Sequence, residues 1–179
     1  MTPFDERGGA GVGRIEDFNG LAAKWAEREL IACCAAPRWA RLLVAGRPYP
    51  DRAALLAAAD AANAQLTWPE VRAAVDAHPR IGQRPDGQRR EDRWSRGEQS
   101  GLDGATEPAR AAIAEATVGY ERRFGHRFLV CATGRSDTQL LAALRDRLGN
   151  DPDIEQAVVR EELRKIAALR IGKLLDEPA

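Results

Sequence analysis

The chain of 179 residues contains two histidines, and their neighbours differ. His78 lies in Ala77-His78-Pro79-Arg80-Ile81-Gly82. It falls at an expected helix end, because a residue preceding proline is pushed out of the α region. An ordinary imidazole titrates at about 6.5, so a ring held there can take or give a proton at neutral pH, and a helix C-terminus favours its charged form. His78 is thus a candidate acid or base; capping the last helical carbonyls is its plainer role. His126 follows Gly125 and reads as a partly exposed turn residue. Glu98 and Gln99, preceded by Ser95 and flanked by Gly97 and Gly101, offer a carboxylate beside a carboxamide. That pair can read a small polar heterocycle, since Glu accepts while Gln both donates and accepts. Arginines at 80, 84, 89, 90, 93 and 96 are interleaved with Asp86, Glu91 and Asp92. Cys33, Cys34 and Cys131 show neither CxxC nor Cys/His ligand spacing, so no metal site is expected and unpaired thiols suit a reducing cytoplasm.

These residues need a scaffold, and the composition points to helices. Alanine accounts for 33 residues, aromatics are few and β-branched runs are short. The fold class is all-α: a compact, single-domain multi-helix bundle with a loop-rich centre, expected over residues 15–179 behind a flexible N-terminal arm over 1–14. Asp17 is expected to cap a first helix from Phe18 to about Ala36, with Leu21, Trp25, Leu30 and Ile31 on its apolar face and Pro37 as its stop. A short helix holds Trp39 and Leu43. Asp51 caps a long helix to Leu66, and Thr67 with Pro69 opens another that ends at His78. Residues 79–104 carry five glycines and little apolar periodicity before Trp94 and Leu102, which reads as a loop-rich centre. Helical patterning returns from Pro108 to Phe124, with Ile113, Val118 and Tyr120 in register and Gly125 as the stop. The run from Phe128 to Ala132 is too short to distinguish a buried strand from a tight core segment. Asp137 to Leu148 and Asp153 to about Leu175 read as two amphipathic helices, the last with Ile154, Val158, Leu163, Ile166, Leu169 and Leu174 on a broad face.

Charge excludes several function classes. With 27 basic and 27 acidic residues the formal charge is zero, whereas nucleic-acid or anionic-lipid binding is built from clustered excess Lys and Arg. No stretch approaches the roughly 20 apolar residues of a membrane span. Residues 1–14 lack the apolar core of a secretory signal, and Glu177-Pro178-Ala179 is not a peroxisomal address. The expected partner is a small molecule, with no nucleic acid and no membrane.

Four segments, in their order and spacing, resemble the 2-oxo-4-hydroxy-4-carboxy-5-ureidoimidazoline (OHCU) decarboxylases, which form the last step from urate to allantoin. They are His78 to Gly82 (HPRIG), Ser95 to Leu102 (SRGEQSGL), Phe124 to Ser136 (FGHRFLVCATGRS) and Glu162 to Ile171 (ELRKIAALRI). The chain departs from the family pattern at His126-Arg127 and in the spacing after Gln99. The resemblance implies a cytoplasmic all-α homodimer, without metal or cofactor, that decarboxylates a ureidoimidazoline to S-allantoin. It puts His78, Glu98 and Arg170 in catalysis. It gives substrate contact to Pro79, to Ser95, Arg96, Gly97 and Gln99, and to Phe128, Leu129, Val130, Cys131 and Ala132, the last stretch mainly through its backbone. Arg170 would either bind the substrate carboxylate or organise Glu98. The competing reading from another class is a helical binding or regulatory module that uses the arginine-rich 80–96 loop.

Overall fold

The structure, a computed structural model, describes residues 14–83, 85 and 87–176. The arm expected over residues 1–14 therefore lies outside the described residues except for Arg14. All regular elements among the described residues are helical: α1 (Ile15–Gly20), α2 (Ala23–Cys34), α3 (Pro37–Ala45), α4 (Arg52–Ala64), α5 (Trp68–Ala77), α6 (Arg90–Glu98), a 3₁₀ turn (Ser100–Leu102), α7 (Glu107–Phe124), α8 (Asp137–Leu148) and α9 (Pro152–Asp176). The fold is all-α, as the composition implies.

Several ends follow local chemistry. Asp51 caps α4 by accepting from the Ala54 amide at 2.8 Å, and Thr67 with Glu70 forms a capping box at the start of α5. At the end of α7, Gly125 takes the left-handed conformation, φ 72°, that closes a helix without a Cβ clash. One expectation needs correction and another gains detail. The first helix is not continuous from Phe18 to Ala36, and Asp17 lies inside α1 instead of capping it. The chain breaks after Asn19-Gly20, and Arg47 Nη1 takes the freed carbonyls of Phe18 (2.9 Å) and Leu21 (2.7 Å). The loop-rich 79–104 stretch also holds a helix, α6, that the apolar pattern did not announce. Its start is written in charge: Glu91 and Asp92 occupy the first turn, Asp92 accepts from the Arg89 amide, and Arg96 lies in the last turn. A reading built on apolar periodicity does not register such a helix.

Two hydrophobic clusters make the interior. The larger gathers α2, α3, α4 and α5 around α9, which at 25 residues is about 37 Å long. The smaller lies between α7 and α8 and includes Ile113, Tyr120, Leu140 and Leu144. The segment 128–132 joins them. Leu129 and Cys131 pack into the first cluster, while Phe128, Val130 and Ala132 pack into the second. Alternate residues therefore point opposite ways, the period of a strand, although among the described residues no strand pairs with it. Its backbone groups are met by side chains: Arg147 Nη1 donates to the Leu129 carbonyl at 2.7 Å, and the Cys131 amide donates to Glu162 Oε2 at 2.7 Å.

Trp25, Ile31, Val118 and Ile154, counted on apolar faces, are exposed. Helical spacing identifies a helix and overstates the width of the stripe it buries. His126 is corrected in the other direction. It is 7% exposed and packs edge-on against Trp68 and Tyr120, because Gly125 turns the chain back over the α7 aromatics.

Candidate functional site

The end of α5, the inner face of α6, the 128–132 segment and α9 converge on a small, half-open cavity. Pro79 ends α5 and leaves the ring of His78 at the wall, 5% exposed. Nδ1 lies 2.7 Å from the Ala74 carbonyl, four residues back, so that nitrogen carries the proton and donates it. Nε2 is buried with no hydrogen-bond partner. The imidazole thus presents a bare lone pair. Burial first, then the Arg170 charge, pushes its pKa from 6.5 down to about 4, against the Ala74 contact and the Glu98 charge, which act the other way. The charged form expected from a helix C-terminus does not prevail, because the loss of water costs more than the dipole returns.

From α6, Ser95 and Glu98 face the same side, one turn apart, and both are buried. Arg170 of α9 grips the Glu98 carboxylate with its fork: Nε to Oε1 at 3.0 Å and Nη2 to Oε2 at 2.8 Å. Nη2 also reaches Ser95 Oγ at 2.9 Å, and Lys173 Nζ adds a further donor to Glu98 Oε1 at 2.9 Å. Burial raises the Glu98 pKa, but hydrogen bonding and charge from Arg170 and then Lys173 outweigh it, and the net shift is downward. Of the two roles left open for Arg170, this structure displays the organisation of Glu98.

Of the residues expected to contact a ligand, Pro79, Ser95, Gln99, Phe128, Leu129, Val130 and Ala132 line the cavity with His78, Glu98 and Arg170. Gln99 also braces the neighbouring turn, accepting from the Gly82 amide at 2.8 Å. Three do not line it. Arg96 points outward to the carbonyls of Pro85 (2.7 Å) and Gly87 (2.8 Å), Gly97 lies on the outer side of α6, and Cys131 turns toward the larger core. Ile81 and Ile166 line it unexpectedly. Lys173, Glu162 and Arg147, which hold Glu98, Cys131 and Leu129, were also missed. One signal was available: Glu155, Val159, Glu162, Ile166, Arg170 and Lys173 follow helical spacing, so these charges share a stripe with apolar residues.

The cavity volume is about 30 Å³, room for one or two waters. A groove of about 970 Å³ between α2 and α6 meets it at His78, Pro79, Ser95 and Arg170. Groove volume is on the scale of small-molecule sites, roughly 300–1,000 Å³. Among the described residues no three His, Cys, Asp or Glu side chains cluster as a metal site, and no helix is long and apolar enough to cross a membrane. Several described arginines of the 80–96 stretch face their own chain: Arg80 pairs with Glu121 at 2.8 and 3.0 Å, Arg90 with Glu29, and Arg93 with the Gln88 carbonyl at 2.8 Å. These internal pairings do not favour the binding-module reading.

The family model for OHCU decarboxylase matches residues 19–172. The chain is 32% identical over 162 residues to the uric acid degradation bifunctional protein TTL of Arabidopsis thaliana, covering 89% of this chain and 50% of that protein. It is 36% identical over 87 residues to 2-oxo-4-hydroxy-4-carboxy-5-ureidoimidazoline decarboxylase of Amia calva, covering 48% of this chain and 50% of that one. The chain spans about half the length of these curated relatives. A crystal structure of OHCU decarboxylase in the presence of (S)-allantoin superposes with a TM-score of 0.73 at 25% identity, over 88% of this chain and 100% of the other. An (S)-allantoin synthase structure shares the fold, with a TM-score of 0.69 at 18% identity over 91% of this chain and 54% of its own. A match running from Asn19 in α1 to Gly172 in α9 takes in every element that builds the cavity, and the chain belongs to the OHCU decarboxylase family.

Proposed function

We propose that this protein decarboxylates 2-oxo-4-hydroxy-4-carboxy-5-ureidoimidazoline to (S)-allantoin, with His78, Glu98 and Arg170 as its catalytic residues and no metal or cofactor. The observation that carries the reading is the His78 ring: Nδ1 is committed to Ala74 and Nε2 is bare, beside a fixed Glu98–Arg170 pair. In this substrate the carboxylate is attached to a carbon next to a C=N bond. Carbon dioxide departs, the electrons of the broken carbon–carbon bond flow into the C=N group, and its nitrogen takes a proton from solvent, leaving a neutral enol-type intermediate. Neutral His78 takes the hydroxyl proton at Nε2 and returns a proton to the neighbouring ring carbon from one side, so that one enantiomer forms. A positioned group of this kind contributes about 10²- to 10⁴-fold.

The Glu98–Arg170–Ser95 assembly supports the reading as a preformed polar wall, and the backbone of the 128–132 segment supplies the opposite one. Arg170 is already occupied by Glu98, so it meets the departing carboxylate as a fixed positive charge. A tighter grip would stabilise the ground state and slow the loss of carbon dioxide. The reading includes the cytoplasm as the setting, which suits Cys34 and Cys131, neither of them in a disulfide, and a homodimeric assembly. The test uses substrate made freshly from urate by the two upstream enzymes and follows circular dichroism. Adding the protein speeds formation of optically active (S)-allantoin, with or without chelator. Spontaneous-rate decay or racemic product overturns the reading.

A further inference from the structure

Glu98 receives more positive charge than it needs. Both of its oxygens are already held by the Arg170 fork, at 3.0 and 2.8 Å, and a bidentate pair fixes a carboxylate in place by itself. Lys173, one turn further along α9, nevertheless places Nζ 2.9 Å from Oε1. As a tether it is redundant; as a charge it is not. Arg170 and Glu98 cancel, and Lys173 leaves the group with one net positive charge beside an uncharged His78. The other charges near the cavity leave this surplus in place. Arg127, whose Nη1 donates to the His78 carbonyl at 2.6 Å, adds positive charge, while Glu162 is engaged by Lys165 at 2.8 Å and by the Cys131 amide.

We propose that Lys173 determines specificity for an anionic substrate: by neutralising Glu98 from outside the cavity, it frees the charge of Arg170 to attract a carboxylate entering past His78. Lys173 is a positioning residue, for it does not line the cavity and its side chain is 30% exposed. The inference rests on the decarboxylase reading, in which the substrate carries a carboxylate and the product, allantoin, is neutral. That difference supplies the test.

Lys173→Met keeps the length and the apolar stem while removing the charge; Lys173→Arg keeps the charge. KM for the freshly generated substrate and the inhibition constant of (S)-allantoin are measured for wild type and both variants. The expected result is a KM raised about tenfold in Lys173→Met, the scale of one lost unit charge acting across several ångströms of partly screened interior. Allantoin inhibition stays within about twofold of wild type, and Lys173→Arg restores the substrate KM. An unchanged KM in Lys173→Met overturns the proposal, and so does an equal loss for substrate and allantoin, which marks Lys173 as a residue that only holds the site's shape. Either result in a protein that still makes (S)-allantoin leaves the decarboxylase reading intact. A wild type that does not accelerate the reaction removes that reading and this inference together.

Discussion

His78 gathers its chemistry from three neighbours: Ala74 fixes the tautomer, Pro79 ends the helix so that the ring meets the cavity, and Arg170 with burial keeps it uncharged. A group that begins the reaction as a base requires its neutral form. The pKa of about 4 therefore predicts that kcat/KM stays level from pH 7.5 to about 5 and falls as the pH drops toward 4. A pH–rate profile checks this, and a fall centred near 6.5 would instead mark an ordinary solvated histidine. His78→Asn keeps a polar group of similar reach but cannot shuttle the proton, and it lowers the decarboxylation rate at least about a hundredfold with the fold retained. His126→Asn leaves turnover close to wild type, because that ring is packed among Trp68, Tyr120 and Phe124 away from the cavity.

Helix ends and the buried pairs between helices hold the site in shape. Ala35 ends α2 with φ 57°, a left-handed conformation that costs a residue with a Cβ roughly 1–2 kcal/mol. Ala35→Gly relieves this at some cost in chain entropy and raises the unfolding free energy by about 0.5–1 kcal/mol, measured by urea denaturation. Arg147 of α8 carries more. Its guanidinium pairs with the fully buried Glu155 of α9 at 2.6 and 2.9 Å and donates to the Leu129 carbonyl; Glu155 is also bonded to Tyr120 of α7 and, at 2.7 Å, to Asn150. Arg147→Met strands that carboxylate without its cation and destabilises the protein by about 3–5 kcal/mol. It also loosens the wall formed by the 128–132 segment, so variant protein that remains folded at low temperature turns over more slowly than wild type.

Across the whole molecule, the buried His78 couples stability to pH. Its folded pKa lies at about 4, below the roughly 6.5 of the unfolded chain, so between those values the unfolded state binds the proton that the folded state refuses. Stability falls as pH drops through that window, by an amount on the order of 3 kcal/mol when pH 4 is reached. Unfolding midpoints compared between wild type and His78→Asn isolate the effect: the variant loses less stability between pH 7 and 4.5. Equal slopes would mean that the ring is solvated in the fold. The cavity of about 30 Å³ opens into a groove bounded by α2 and α6, two helices that are far apart in sequence and packed together.

The local chemistry of the chain already carries the helix class, most of the helix ends and the pairing of a histidine with a proline at the end of α5. Caps, stops and apolar spacing act over a few residues and can be read where they are written. The break after Gly20 was also local, in Asn19-Gly20, and was outweighed by the apolar spacing around it; α6 was hidden because its signal lies in charge. Tertiary structure alone decided the rest. It brought Arg170 and Lys173 onto Glu98 across more than seventy residues and turned Arg96, Gly97 and Cys131 away from the cavity. It buried His126, and it left His78 neutral. Those outcomes depend on which surfaces lose water and which charges are brought together when α9 packs beneath α2, α5 and α6, and a pKa or a side chain's direction has no value until that packing exists.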